Sequence, residues 1–230
     1  MNTQFRNRAE AGQWLATKLK RYANREDVLV LALPRGGVPV GYAVAQRLKA
    51  PLDVMVVRKL GVPGHEELAM GALASGGGRV LNEEIIRSLQ ISPLEIAAAT
   101  AGEKAEVARR ELEYREHRPP PPIAGQVVIL VDDGLATGAT MRAAVAAVRR
   151  QHPRRIVVAV PTAAQETCRR LRGEADDVVA VILPEAFSSV GEWYQDFSQT
   201  TDEEVRTLLR AAEKNLIANA IRAAATEGKN

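Results

Sequence analysis

Apolar residues along the chain follow two rhythms. Short, mostly apolar runs at 28–33, 52–57, 127–131, 155–160 and 178–183 read as strands, and the uninterrupted, β-branched run at 127–131 suits a strand buried on both faces of a parallel sheet. About 9–22, ahead of the first run, and 38–48 and 163–171, between runs, carry helical spacing, so the alternation predicts an α/β fold: a Rossmann-like parallel five-stranded sheet with flanking helices. Residues 61–78 break the pattern with six glycines around an apolar patch at 68–73, which reads as a mobile hairpin arm over about 60–80. A helical insertion follows, about 82–117. Within it Ser92-Pro93 supplies an N-cap and a first helical position, and the proline run Pro119 to Pro122 stops the long helix and leads stiffly into the next strand. The core is expected to span 1–185. Residues 186–230 form a small C-terminal hood, with an aromatic cluster at 187–197, and a helix from about 202 to 224.

Composition narrows the function classes. A net charge of +3 over 230 residues, with bases interspersed among acids, gives no tract for nucleic acid, and 4% aromatic residues give no stacking platform for single strands. The Arg-Arg pairs at 109–110, 149–150, 154–155 and 169–170 read as solvated helix faces and ends. The one cysteine, Cys168, cannot form a bridge within the chain and sits in a helical stretch as packing. The first residues lack the apolar core of a signal peptide, and no run approaches the ~20 residues of a membrane span, so a soluble cytoplasmic protein is expected.

The chemistry concentrates in VVILVDDGLATGAT, Val127 to Thr140. A buried strand delivers Asp132 and Asp133 to its carboxyl end, where open α/β sheets bind ligands. Gly134 and the small residues Ala136, Thr137, Gly138, Ala139 and Thr140 then leave backbone N–H groups uncovered at a helix start, which favours phosphate. Acceptors for a diol and donors for a phosphate within nine residues suit a sugar phosphate. A second strand-to-helix turn, Pro34-Arg35-Gly36-Gly37, is stripped of bulk in the same way, and Arg35 can add charge-assisted contacts to an anion. Arg58 and Lys59 follow the second apolar run and are expected at the same sheet edge as a third phosphate contact. In the arm, His65, Glu66 and Glu67 are the titratable groups, and a closing lid could use one of them for proton transfer.

These residues resemble the type I phosphoribosyltransferase family. VVILVDDGLATGAT is similar to that family's phosphoribosyl pyrophosphate signature, PRGG lies where the family keeps its pyrophosphate loop, and GGVPVGYAVAQRL with VVRKLGVPG is similar to the adenine enzymes. The resemblance implies that Asp132 and Asp133 hold the ribose hydroxyls, that Ala136 to Thr140 bind the 5-phosphate, and that Arg35 to Gly37 bind pyrophosphate through a non-proline cis peptide. It implies Mg²⁺ held through ligand and water near the aspartates rather than by direct protein ligands, phosphoribosyl pyrophosphate and a small nitrogenous base as partners, and a homodimer. Ala136 departs from the pattern of hypoxanthine-guanine enzymes, which carry an acid there. Glu67, with Glu66, is the nearest substitute for the acid that adenine enzymes place in the mobile loop, so Glu67, Asp132 and Asp133 are the catalytic candidates. Trp193 and Tyr194 in the hood segment FSSVGEWYQDF are the candidates to stack on a base. A non-catalytic phosphoribosyl pyrophosphate-binding regulator is the competing reading. A sugar-phosphate hydrolase ranks below both for want of a nucleophile or a metal-ligand cluster.

Overall fold

The computed structural model describes residues 4–227; the side chains of Glu67 and of 222–227 lie outside the described set. Five parallel strands form the central sheet: β1 (Val28–Ala32), β2 (Leu52–Val54), β6 (Val127–Val131), β7 (Arg155–Thr162) and β8 (Asp177–Ile182), in the order β2-β1-β6-β7-β8. β1 and β6 are buried at every position, which is why their runs show no polar alternation. The period of two reappears in how they pack. Val28, Val30, Val127, Ile129 and Val157 meet α1 (Arg8–Lys18) and α2 (Gly37–Leu48), while Leu29, Leu31, Val128, Leu130 and Val158 meet α5 (Ala139–Arg149) and α6 (Gln165–Leu171) on the other face. Cys168 packs in this second layer, 2% exposed.

From β1 the chain winds outward to β2, and from β6 it winds the opposite way to β7 and β8. The order therefore reverses between β1 and β6, and a crevice opens at the carboxyl ends of those two strands.

Between β2 and β6 the chain leaves the sheet. A separate antiparallel sheet, β3 (Val57–Val62), β4 (His65–Ala74) and β5 (Arg79–Leu81), forms the expected hairpin arm, followed by α3 (Glu83–Ser88) and α4 (Pro93–Arg115). Ser92 caps α4 through a full capping box with Glu95, and Pro93 sits in its first turn. The arm is docked, in contrast to the mobile element that its glycines suggest. Leu60, Met70 and Leu73 are buried together with Ile96, Val107 and Tyr114 of α4 and with Val205 and Leu209 of α7 (Asp202–Glu227). On its other side Gly78 lies against α5, where a Cβ would come within 2.2 Å of the Ala147 Cβ. At the far end of α4, Arg115 bonds Asp53 of β2 at 2.7 Å, Glu111 at 2.7 Å and the Val54 carbonyl, fixing the helix to the sheet edge. No helix among the described residues is long and apolar enough to cross a membrane.

One expected strand divides in two. The run 52–57 leaves the parallel sheet at Val54, and Val57 opens the arm by pairing with Ala74. Met55 N–H still reaches the Ala32 carbonyl, and Ser75 exchanges hydrogen bonds with Val56, so the switch between sheets is held on both sides.

Candidate functional site

Two loops meet at the crevice. Pro34 to Gly36 leave β1 and enter α2 at Gly37, and the Pro34–Arg35 peptide bond is cis. Asp132 to Gly138 leave β6 and enter α5. They touch so closely that a Cβ on Gly36 would lie 2.1 Å from Asp133 Oδ2, and one on Gly37 would lie 2.8 Å from the Val131 carbonyl oxygen. Glycine is therefore a steric requirement where the loops meet. Gly138 adopts φ 74°, turning the chain into α5, and no side chain caps that helix start. Ala136, Thr137, Ala139 and Thr140 are exposed around it, while Thr167 donates to the Ala136 carbonyl at 2.5 Å and pins the loop to α6. An uncapped helix start with an open loop leaves backbone N–H groups uncovered, the feature that favours anions at helix starts.

The two carboxylates are held unequally. Asp132 accepts the Asp133 N–H at 2.9 Å, and burial pushes its carboxyl well above the usual carboxylate range, with the neighbouring Asp133 charge adding to this. Burial also raises Asp133, but Arg8 opposes it. Arg8, in the first turn of α1, places Nε and Nη2 each 2.9 Å from Asp133 Oδ2, with the two side chains only 12% and 15% exposed. Its third nitrogen donates to the Ser198 carbonyl at 2.6 Å, and its guanidinium carbon lies 4.0 Å over the Phe197 ring. Arg8 is the site residue that sequence reasoning missed.

Arg35 takes a looser partner. Its Nη1 is 3.7 Å from Asp202 Oδ2 at the start of α7, and Tyr114 donates to the other Asp202 oxygen at 2.5 Å. Burial and that carboxylate push the Tyr114 hydroxyl up to about 12.

The remaining expected residues are placed differently. Arg58 and Lys59 lie in β3 of the arm rather than at a parallel strand's end; Arg58 pairs with Glu103 of α4 at 2.8 Å. Both line a cleft of ≈ 660 Å³ between arm and helix that also holds Glu66, Glu95 and Glu103. The topological reason for a third phosphate contact is thereby removed. Glu67 belongs to β4 by its backbone, and its side chain lies outside the described residues. Trp193 and Tyr194 are buried, 7% and 4% exposed, among Phe5, Ala11, Phe187 and Val190. Phe187 stacks on Trp193, and Phe5 and Phe197 flank Tyr194, so protein covers the rings expected to receive a base. Tyr194 instead donates its hydroxyl to the Asp133 carbonyl at 2.6 Å and steadies the acidic turn.

Comparison with known proteins places the chain in a family. The family model for the phosphoribosyl transferase domain matches residues 3–195. The chain belongs to that family. Two Mycobacterium tuberculosis proteins, from strains H37Rv and CDC 1551 and each named "putative phosphoribosyl transferase", are 42% identical over 222 residues, 96% of this chain and 50% of theirs. The chain thus spans about half the length of these curated relatives. The crystal structure of TT1426 from Thermus thermophilus superposes with a TM-score of 0.77 at 43% identity, covering 90% of this chain and 97% of that one. The Asp132–Asp133 turn and the Arg35–Gly37 turn meet at the crevice between β1 and β6.

Proposed function

We propose that this crevice binds phosphoribosyl pyrophosphate with Mg²⁺ and that the protein transfers the 5-phosphoribosyl group to a nitrogenous base, purine-like in preference, with release of pyrophosphate. The observation that carries the proposal is the contact of the two loops at the sheet's switch point, where glycine keeps a diol-accepting turn and an anion-accepting turn within reach of one ligand. In this reading Asp132 and Asp133 accept from the ribose hydroxyls, Ala136 to Thr140 hold the 5-phosphate at the α5 start, and Arg35 to Gly37 hold the pyrophosphate. Arg35 is free enough to turn from Asp202 to a phosphate, because the 3.7 Å pair is half-exposed and weak.

Two adjacent carboxylates are hard oxygen donors that fit a Mg²⁺ bound mainly through phosphates and water. Among the described residues no group of three acids, histidines or cysteines could hold a metal alone. When bound, the ion would offset charge on the departing pyrophosphate. The chain's own contribution is electrostatic: neutralise the leaving group, hold the diol, and present donors that cost no reorganisation as charge develops. The setting is cytoplasmic and the assembly a homodimer in this reading.

Pure protein given phosphoribosyl pyrophosphate, Mg²⁺ and a panel of bases should release pyrophosphate with at least one of them. Absence of both turnover and phosphoribosyl pyrophosphate binding overturns the reading. Tight binding by calorimetry with silence across the panel favours the regulator, a reading that the methyl group at Ala136 accommodates, since it offers no proton acceptor. A sharper check is Gly36→Ala. The new methyl must displace the Asp133 carboxylate or Arg8, whose Nε would lie 3.3 Å from it, so ligand affinity should fall at least tenfold in the same calorimetry.

A further inference from the structure

The opposite pole of the sheet carries a second convergence of charge. Arg21, Arg25, Arg154 and Arg155 line a cleft of ≈ 320 Å³ whose other lining residues are Tyr22 and Val127. These arginines come from the turn after α1, the lead into β1 and the entry to β7, so the cleft sits at the amino-terminal ends of the strands. The five residues of β6 separate it from the acidic turn by roughly 16 Å.

Ion pairing within the protein leaves this cleft positive. Asp27 serves two guanidiniums, Arg25 through both oxygens at 2.9 and 2.8 Å and Arg154 at 3.1 Å. Asp177 pairs with Arg21. Asp176 gives its carboxylate to Arg149 and the Ile156 N–H, and only its carbonyl to Arg155. Four guanidiniums therefore share two carboxylates. Their backbone frame is tied together: the Asp27 carbonyl accepts from Val127, and the Gln126 carbonyl accepts from both Arg154 and Arg155. The buried Tyr22 ring forms a floor, with the Arg21 guanidinium 4.9 Å over it. Side-chain exposures of 59% for Arg21 and 67% for Arg154 keep those heads within reach of a ligand.

We infer that this cleft is a second anion site, distinct from the crevice, that binds a chain of two or three phosphate groups. All four cations are arginines, whose planar forks meet phosphate oxygens in pairs where lysine would act as a point charge. The volume lies at the small end of ligand pockets, enough for a phosphate chain with anything attached left in solvent. The chain could arrive as free polyphosphate or as the tail of a nucleotide; the shared chemistry is the phosphoanion.

The test is calorimetry on the full chain at low salt with inorganic tripolyphosphate and, separately, a nucleoside triphosphate. An Arg35→Ala background weakens competition from the crevice. Adding Arg154→Ala and Arg155→Ala should weaken tripolyphosphate binding at least tenfold, with the thermal midpoint recorded alongside. If that protein does not fold, Arg154→Lys with Arg155→Lys keeps the charge and removes the forks, and a threefold or larger loss is expected. Equal affinity for both probes identifies the phosphate chain as the ligand, and a tighter nucleotide identifies the nucleotide. Superimposable isotherms with and without Arg154 and Arg155, or no stoichiometric binding in the Arg35→Ala protein, overturn the inference.

Discussion

Asp132→Asn should lower phosphoribosyl pyrophosphate affinity and turnover by about ten- to hundredfold, the worth of a hydrogen bond to a charged group, and should at the same time raise the thermal midpoint at neutral pH. Loss of function follows because the amide is a weaker acceptor and half of it is a donor facing the ribose hydroxyls of the proposed ligand. The gain in stability follows from the direction of the Asp132 shift. Burial, with Asp133 beside it, raises its carboxyl in the folded state. A raised carboxyl contributes stability that is fully present below the unfolded value and is lost as pH rises through the folded value. At neutral pH the ionised group is therefore a cost of folding. Asn keeps the acceptor for the Asp133 N–H, now at 2.9 Å, and removes the charge. One kcal/mol is about 2–4 °C for a chain of this length, so a shift of a few degrees should be visible by calorimetric scanning. The variant's midpoint should also decline less as pH is raised from acid to neutral. A midpoint that falls with unchanged affinity would place the ligand's diol elsewhere.

That pairing of a proposed ligand contact with a folding cost explains why the candidate site was legible. A strand buried at every position that ends in two carboxylates breaks a local rule without local compensation, and such breaks mark function. The same holds for a turn that needs glycine where two loops touch. The core was legible because β-branched runs and helical spacing are local signals. The split of the run 52–57 was not, since Val54 and Val57 are separated by which partner each finds, Ala32 for one and Ala74 for the other, and partner choice is nonlocal. Arg58 and Lys59 moved with it. The docking of the arm was hidden for a similar reason: glycines at 76–78 read as freedom, whereas Gly78 serves close packing on Ala147. The hood aromatics were visible as a cluster, but whether they face a ligand or one another depends on Phe5, far away in sequence, whose N–H donates to the Trp193 carbonyl. The arginines of the second cleft are likewise scattered through the sequence and meet only at the sheet's end.

Arg8 had one local signal. A cation in the first turn of a helix opposes the helix dipole, so its placement there, after the Asn7 cap, implies a task elsewhere. Arg8→Met should reveal that task as the largest stability loss of any single change proposed. Methionine keeps an unbranched stem but removes the guanidinium over Phe197 and leaves Asp133 beside Asp132 without a counter-charge. Breaking a buried pair costs about 3–5 kcal/mol, and the 12% and 15% exposure of these side chains points to the lower end, about 3 kcal/mol. The cost should depend on pH. Arg8 is what holds Asp133 down against burial, so without it the carboxyl rises further and the destabilisation is greatest at neutral pH, shrinking in acid as Asp133 takes up a proton. Urea unfolding at several pH values reads this directly. Adding Asp133→Asn to Arg8→Met removes the orphaned charge and should recover much of the stability, which identifies Arg8 as the counter-charge of Asp133; ligand affinity should stay low, because Asp133 is itself a proposed ribose contact. If Arg8→Met unfolds at the same urea concentration as the parent at every pH, the pair contributes nothing and Asp133 is held by its backbone and Tyr194 alone.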